Sequence, residues 1–116
     1  YPEGITNYLL QFFKEKVNIL RENGVNNILI DPGFGFSKSM EDNHLLMRKL
    51  EDLNALELPL LVGISRKSMI YKKLGISPAE SLNGTIALNA IALNKGAKIL
   101  RVHDVKEAKQ LIDLLF

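Results

Sequence analysis

The stretch Ile28-Leu29-Ile30-Asp31-Pro32-Gly33-Phe34-Gly35-Phe36 runs from a short apolar segment into an acid, a proline and two glycines, and two later runs end in the same manner. Leu60-Leu61-Val62-Gly63-Ile64 passes into Ser65-Arg66-Lys67, and Ile99-Leu100 into Arg101-Val102-His103. Parallel strands bring their C-terminal ends together, and α/β folds hold ligands at those ends. Asp31, Lys67 and the Arg101/His103 pair are therefore expected to face one pocket.

The intervening sequence is helical in pattern. Leu9, Phe12, Phe13, Val17 and Leu20 share one face of a helix predicted over roughly 6–23, with Thr6 or Asn7 as cap and Gly24 as terminator. Asn27 to Asp31 reads as a buried strand stopped by Pro32. Leu46, Leu50 and Leu53 form a stripe within a helix from about Met40 to Leu56, capped by Ser39. Leu60 to Ile64 is the second strand. Ser77-Pro78-Ala79-Glu80 is a capping box that opens a helix to about Lys95, stopped by Gly96. Lys98 to His103 is the third strand. Asp104 with Glu107 starts a last helix whose buried face is Val105, Ala108, Leu111, Ile112 and Leu115.

The order is α-(βα)3, which implies parallel strands with right-handed crossovers in a barrel or a doubly wound sheet. Three strands complete neither. A (β/α)8 barrel takes about 250 residues, so residues 1–116 are expected to be a single partial domain. Because the chain opens at Tyr1, a processed product or a piece of something longer is expected.

Composition excludes several classes. With 47% hydrophobic and 24% charged residues, the chain is neither disordered nor collagen-like. The net charge is +2 and the lysines are spread along helices, so solvated faces are favoured over a nucleic-acid surface. Without cysteine there is no disulfide or thiolate metal site, and His44 and His103 lack zinc-type partners. No apolar stretch approaches the ~20 residues needed to span a bilayer and no signal-peptide pattern is present, so the expectation is a cytoplasmic protein.

Each tail has two readings. Asp31 can accept paired hydrogen bonds from an amide-like ligand edge, or satisfy the N–H groups of its own turn. Gly33 and Gly35 admit a ligand beside Phe34 and Phe36, or simply turn the chain, and Phe34 is expected to pack inward more than Phe36. Gly63 to Ser68 is an anion-binding loop or a solvated basic one; it has neither Walker spacing nor Ser-x-x-Lys. Arg101 and His103, two apart in a strand, share a face, and burying both against helices would be expensive, which favours the mouth. Together the groups suit a planar heterocycle carrying phosphate.

In their order and spacing, Asp31-Pro32-Gly33-Phe34-Gly35-Phe36-Ser37-Lys38, Gly63-Ile64-Ser65-Arg66-Lys67-Ser68 and Arg101-Val102-His103-Asp104 closely resemble the dihydropteroate synthase family. The resemblance covers nearly the whole chain and implies the C-terminal part of a TIM (β/α)8 barrel. That family joins p-aminobenzoate to a dihydropterin pyrophosphate in folate biosynthesis, and sulfonamides mimic the p-aminobenzoate. By resemblance, Asp31 and Lys67 would bind the pterin, Arg101 would stack on it and meet phosphate, and His103 would contact pyrophosphate. Phe36, Ser68 and the backbone near Lys67 would line the p-aminobenzoate site, with Gly63 and Ser65 at the pocket floor.

The resemblance further implies that pyrophosphate leaves first and that the amine of p-aminobenzoate then attacks, with Mg2+ held by an asparagine upstream of Tyr1. No metal ligand is expected within the chain, which should be inactive alone. A homodimer or other self-association through the helices is implied as well. Ser37 stands where glycine is common in the family. The competing readings are a pterin-binding barrel of a folate-dependent methyltransferase and a non-catalytic α/β assembly module.

Overall fold

The computed structural model describes residues 4–116; Tyr1, where the sequence reading begins, lies outside the described residues. Helix α1 spans Ile5–Glu22, α2 Met40–Arg48, α3 Ser68–Leu74, α4 Leu82–Asn94 and α5 Val105–Leu115, and strands β1 and β2 span Leu60–Val62 and Ala97–Leu100. Short 3₁₀ helices occupy Leu50–Leu56 and Pro78–Glu80. β1 and β2 are parallel, with Leu61 opposite Ile99 and Val62 opposite Leu100.

The expected first strand is reduced to one parallel bridge between Ile30 and Leu60. The Ile30 N–H donates to the Pro59 carbonyl at 2.8 Å, and the Leu61 N–H donates to the Ile30 carbonyl at 2.7 Å. Pairing goes no further because Pro32, the next residue able to continue the ladder, carries no N–H. Nor is the segment buried on both sides: Ile30 is enclosed, whereas Leu29 is about half exposed at 49%.

Alternation across the strands accounts for this division. Ile30, Leu60 and Val62 point toward the helices and are buried. Leu29 and Ile99 are exposed, and Leu61 opposite Ile99 is half-buried. The next residues in the same alternation are Asp31, Gly63 and Arg101, so the strand pleat itself carries these three to one face.

On the helix side, Ile5, Leu9 and Val17 of α1 meet Leu46, Leu50, Leu53, Leu60, Val62, Ile64 and Met69 in one apolar cluster. Ser39 caps α2 as expected, its hydroxyl accepting from the Asp42 N–H at 3.1 Å. The helix expected to continue to Leu56 breaks at Lys49. Tightening to a 3₁₀ helix, in which positions three apart eclipse, keeps Leu50 and Leu53 on one fully buried line. Thr6 and Asn7 do not cap α1, whose cap position is Gly4; the Thr6 hydroxyl instead donates to Asp52 at 3.3 Å.

The Ser77–Glu80 box forms, with the Glu80 carboxylate accepting from the Ser77 N–H at 3.1 Å and hydroxyl at 2.9 Å. It opens the 3₁₀ turn rather than α4, which begins four residues later than Pro78, at Leu82. At the other end of α4, Gly96 turns at φ 112° as the terminator. β2 stops at Leu100, so Arg101 to His103 form a loop rather than the end of a strand, although the Arg101 N–H still donates to the Val62 carbonyl at 3.0 Å.

The last helix departs most from expectation. Of its apolar residues only Ala108 is buried, while Val105 is 68% exposed and Ile112 and Leu115 are also exposed. α5 packs on α4 alone among the helices with appreciable contact, and Ala108 is its one buried residue. Among the described residues, no helix is long and apolar enough to cross a membrane.

Candidate functional site

Three strand ends converge on one face. Asp31 begins the Pro32–Ser37 turn, and its Oδ1 accepts from the Gly33 N–H at 2.9 Å. Half of this carboxylate thus satisfies its own turn, as one of the two sequence readings had it. The other oxygen faces Arg101, with Nη1 at 3.7 Å from Oδ2. The turn reading of Asp31 is thus realised at Oδ1, while Oδ2 is left facing Arg101.

Arg101 lies flat across Gly63. A Cβ placed on Gly63 would fall 2.7 Å from Nη2 and 3.0 Å from Nε of Arg101. Gly63→Ala is therefore expected to fold normally, because the flexible guanidinium can swing outward, while drawing Arg101 away from Asp31. Any reaction carried out on this face should lose about tenfold in kcat/KM, with little change in melting temperature. Parallel kinetic and thermal-melt measurements check it; unchanged kinetics would mean that the flat placement of Arg101 is immaterial.

Lys67 reaches across from the β1 tail to the glycine-rich turn. Its Nζ donates to the Phe34 carbonyl at 2.6 Å and sits 5.1 Å from the centre of the Phe36 ring. Partial burial, then repulsion from Arg101, hold its pKa below the ordinary lysine value, with Asp31 opposing. Phe34 is buried at 1% exposure and Phe36 projects at 66%, the orientation expected from the sequence. A ring and an ammonium are thereby presented side by side to solvent.

Two residues that hold the turn were not singled out in the sequence. Lys38 Nζ donates to the Gly33 carbonyl at 2.8 Å and the Phe36 carbonyl at 3.3 Å. Burial holds its pKa below the ordinary lysine value, against the opposing pull of Asp31 and Asp42. The buried Asn43 Oδ1 accepts from the Gly35 N–H at 2.8 Å. Asn43 lies four residues past the Ser39 cap, on the inward face of α2, where a buried amide needs a polar partner. That burial was the signal available for it.

Arg66 differs from its neighbour Lys67. Its guanidinium forks onto both oxygens of Asp104 at 3.1 and 2.9 Å and also donates to the Pro78 and Ala79 carbonyls. These bonds hold the Asp104 carboxyl below its usual range. Asp104 is therefore not the side-chain cap of α5 that the sequence suggested; it has no capping hydrogen bond because Arg66 takes both oxygens.

The remaining expected residues are placed less centrally. Ser65 is buried and its Oγ accepts from the His103 backbone N–H at 3.2 Å. The His103 side chain is exposed and makes no hydrogen bond among the described residues, because β2 ends before strand alternation can aim it with Arg101. Ser68 is the first residue of α3 and is half-buried. Among the described residues, no group of three His, Cys, Asp or Glu side chains converges as a metal would require.

The site is one wall rather than an enclosed cavity: the Asp31 and Arg101 side chains are 34% and 58% exposed. A cavity of about 750 Å³ lies on the helix side instead, between His44, Met47, Leu88, Ile91 and Leu115, and it contains none of the converging polar groups.

Alternating helices and parallel strands, with a carboxylate, an ammonium and a guanidinium at the strand ends, are the arrangement of part of an α/β barrel, whose ligands bind at that end. The chain belongs to the pterin binding enzyme family, whose model matches residues 1–103. It is 44% identical over 99 residues to the dihydropteroate synthase of Escherichia coli K12, covering 84% of this chain and 35% of that protein. The dihydropteroate synthase of Bacillus subtilis is 39% identical over 109 residues, covering 92% and 38%. The crystal structure of the Yersinia pestis dihydropteroate synthase superposes with a TM-score of 0.87 at 41% identity, over 90% of this chain and 50% of that one. That of Xanthomonas albilineans dihydropteroate synthase in complex with 7,8-dihydropteroate gives 0.91 at 34% identity, over 96% and 44%. The chain thus spans between about a third and a half of these proteins, and its helices, two parallel strands and Ile30–Leu60 bridge form part of a (β/α)8 barrel.

Proposed function

We propose that this chain is the C-terminal part of a dihydropteroate synthase, a transferase that joins 6-hydroxymethyl-7,8-dihydropterin pyrophosphate to p-aminobenzoate, with release of pyrophosphate. The observation that carries the reading is the convergence of Asp31, Lys67 and Arg101 from three separate strand tails. Similarity to named synthases across most of the chain supports it.

Asp31, using the oxygen turned toward Arg101, accepts from the amine and ring N–H edge of the pterin. Lys67 donates to the pterin carbonyl and ring nitrogen. Arg101, flat and partly free, stacks on the heterocycle and offsets charge on the departing pyrophosphate, which His103 also contacts. The C–O bond breaks with its electron pair going to pyrophosphate; the p-aminobenzoate nitrogen then donates its lone pair to the methylene carbon and loses a proton. Asp31 disperses the cationic charge that develops on the pterin between these events. Phe36 and Ser68 border the p-aminobenzoate, over a floor set by Gly63 and Ser65.

The chain supplies positioning and charge rather than a covalent nucleophile. Magnesium, where used, would be held by residues outside this chain and would help offset charge on pyrophosphate. The protein is cytoplasmic and self-associates through its helices, a reading supported by the exposed apolar residues of α5.

A coupled assay for pyrophosphate tests the proposal. The full-length protein is expected to release pyrophosphate when given both substrates, and residues 1–116 alone to release none. Robust turnover by the isolated chain, or binding of methyltetrahydrofolate in preference to the pterin pyrophosphate by the full-length protein, would overturn it.

A further inference from the structure

We propose that Arg66 and Asp104 form a clamp that positions Lys67, so that Arg66 serves the site without touching a ligand. The proposal rests on the synthase reading above. Arg66 takes a left-handed backbone conformation, φ 54°, that disfavours any residue with a side chain. It does so immediately before Lys67, where a change in φ would redirect the lysine away from the Phe34 carbonyl.

Five contacts hold Arg66 in this conformation. The backbone N–H donates to the buried Thr85 Oγ1 at 3.1 Å. The guanidinium makes the forked pair with Asp104 and the two bonds to the Pro78 and Ala79 carbonyls. Four of its five N–H groups are thereby committed, which leaves this cation poorly suited to bind a substrate. A planar fork fits this arrangement where an ammonium would not.

The clamp also joins the two tails that build the site. Ser65 bonds to the His103 backbone and Arg66 to the Asp104 side chain, so consecutive residues of the β1 tail are fastened to consecutive residues of the β2 tail. Arg101 lies three residues before Asp104, and Lys67 one after Arg66. One device therefore spaces Lys67 against the tail that carries Arg101.

The test uses the full-length protein, with Arg66→Lys and Asp104→Asn made singly and again in a Lys67→Ala background. Each single change should lower kcat/KM about 10- to 100-fold, the effect of a misplaced contact, while melting temperature stays close to that of the parent. In the Lys67→Ala background the same changes should cost less than about twofold, because the group they position is gone. A purely structural role would not show this dependence on Lys67. The clamp is refuted if folded Arg66→Lys keeps full activity, or if it costs as much without Lys67 as with it. Should Arg66→Lys not fold, Asp104→Asn decides the matter by the same two criteria. A parent protein without turnover would overturn the synthase reading itself; an active parent with unaffected variants overturns only the clamp.

Discussion

In the synthase proposed above, Lys67→Ala is expected to lower kcat/KM about a hundredfold or more, with the protein still folded. Lys67 is a preorganised donor, and removal of one such group from a catalytic site typically reduces the rate by about 10²–10³. Its ammonium lies over the face of Phe36, where the charges of Arg101 and Asp31 both act on it. The change also deletes the bond to the Phe34 carbonyl, which loosens the glycine-rich turn. In the proposed pose both effects act at the pterin, so the loss should fall mainly on the pterin substrate. Steady-state kinetics with each substrate varied in turn measures it; a rate within threefold of the parent would make Lys67 a surface cation.

Asp31→Asn is expected to weaken binding of the pterin substrate about a hundredfold, while binding of p-aminobenzoate changes little. The amide keeps an oxygen for the Gly33 N–H, so the turn survives. What is lost is the negative charge facing Arg101 and, in the proposed pose, the ability to accept two hydrogen bonds from the pterin edge. Each hydrogen bond to a charged group contributes about 1.5–3 kcal/mol, and about 1.4 kcal/mol is a factor of ten. The amide N–H₂ would moreover oppose ring donors. Calorimetric titration of the pterin pyrophosphate into the variant checks the value, with p-aminobenzoate as the control; equal weakening of both would point to a collapsed loop instead.

Much of this site was readable before any coordinates. The three tails could be paired with the rule that parallel strands end together; that Phe34 rather than Phe36 packs inward agrees with expectation, but two phenylalanines share one burial preference and only the fold separates them. Errors clustered where a local signal competed with a distant one. Asp104 before Val105 and Glu107 is a good capping pattern, yet Arg66, 38 residues away in sequence, takes its carboxylate. The apolar stripe of α5 is amphipathic, but periodicity does not say whether a neighbouring element exists to cover it.

Strand lengths were overestimated for a related reason. Ile28 to Asp31 and Lys98 to His103 have strand composition, but a strand is defined by pairing, and pairing depends on neighbours. Ile30 finds one partner and Arg101 one bond.

By itself the sequence determined the order of helices and strands, the three chemically loaded tails and their likeness to a pterin-binding family, because periodicity and residue type are local properties of the chain. Only the tertiary structure decided that Asp31 divides its oxygens between its own turn and Arg101, that Arg101 lies on Gly63, and that Arg66 belongs to Asp104 while Lys67 reaches the Phe34 carbonyl. Two adjacent cations with the same local credentials were sent to opposite tasks by the carboxylate and carbonyls that packing placed within their reach, since a hydrogen bond forms only between groups that the fold has already brought to about 3 Å.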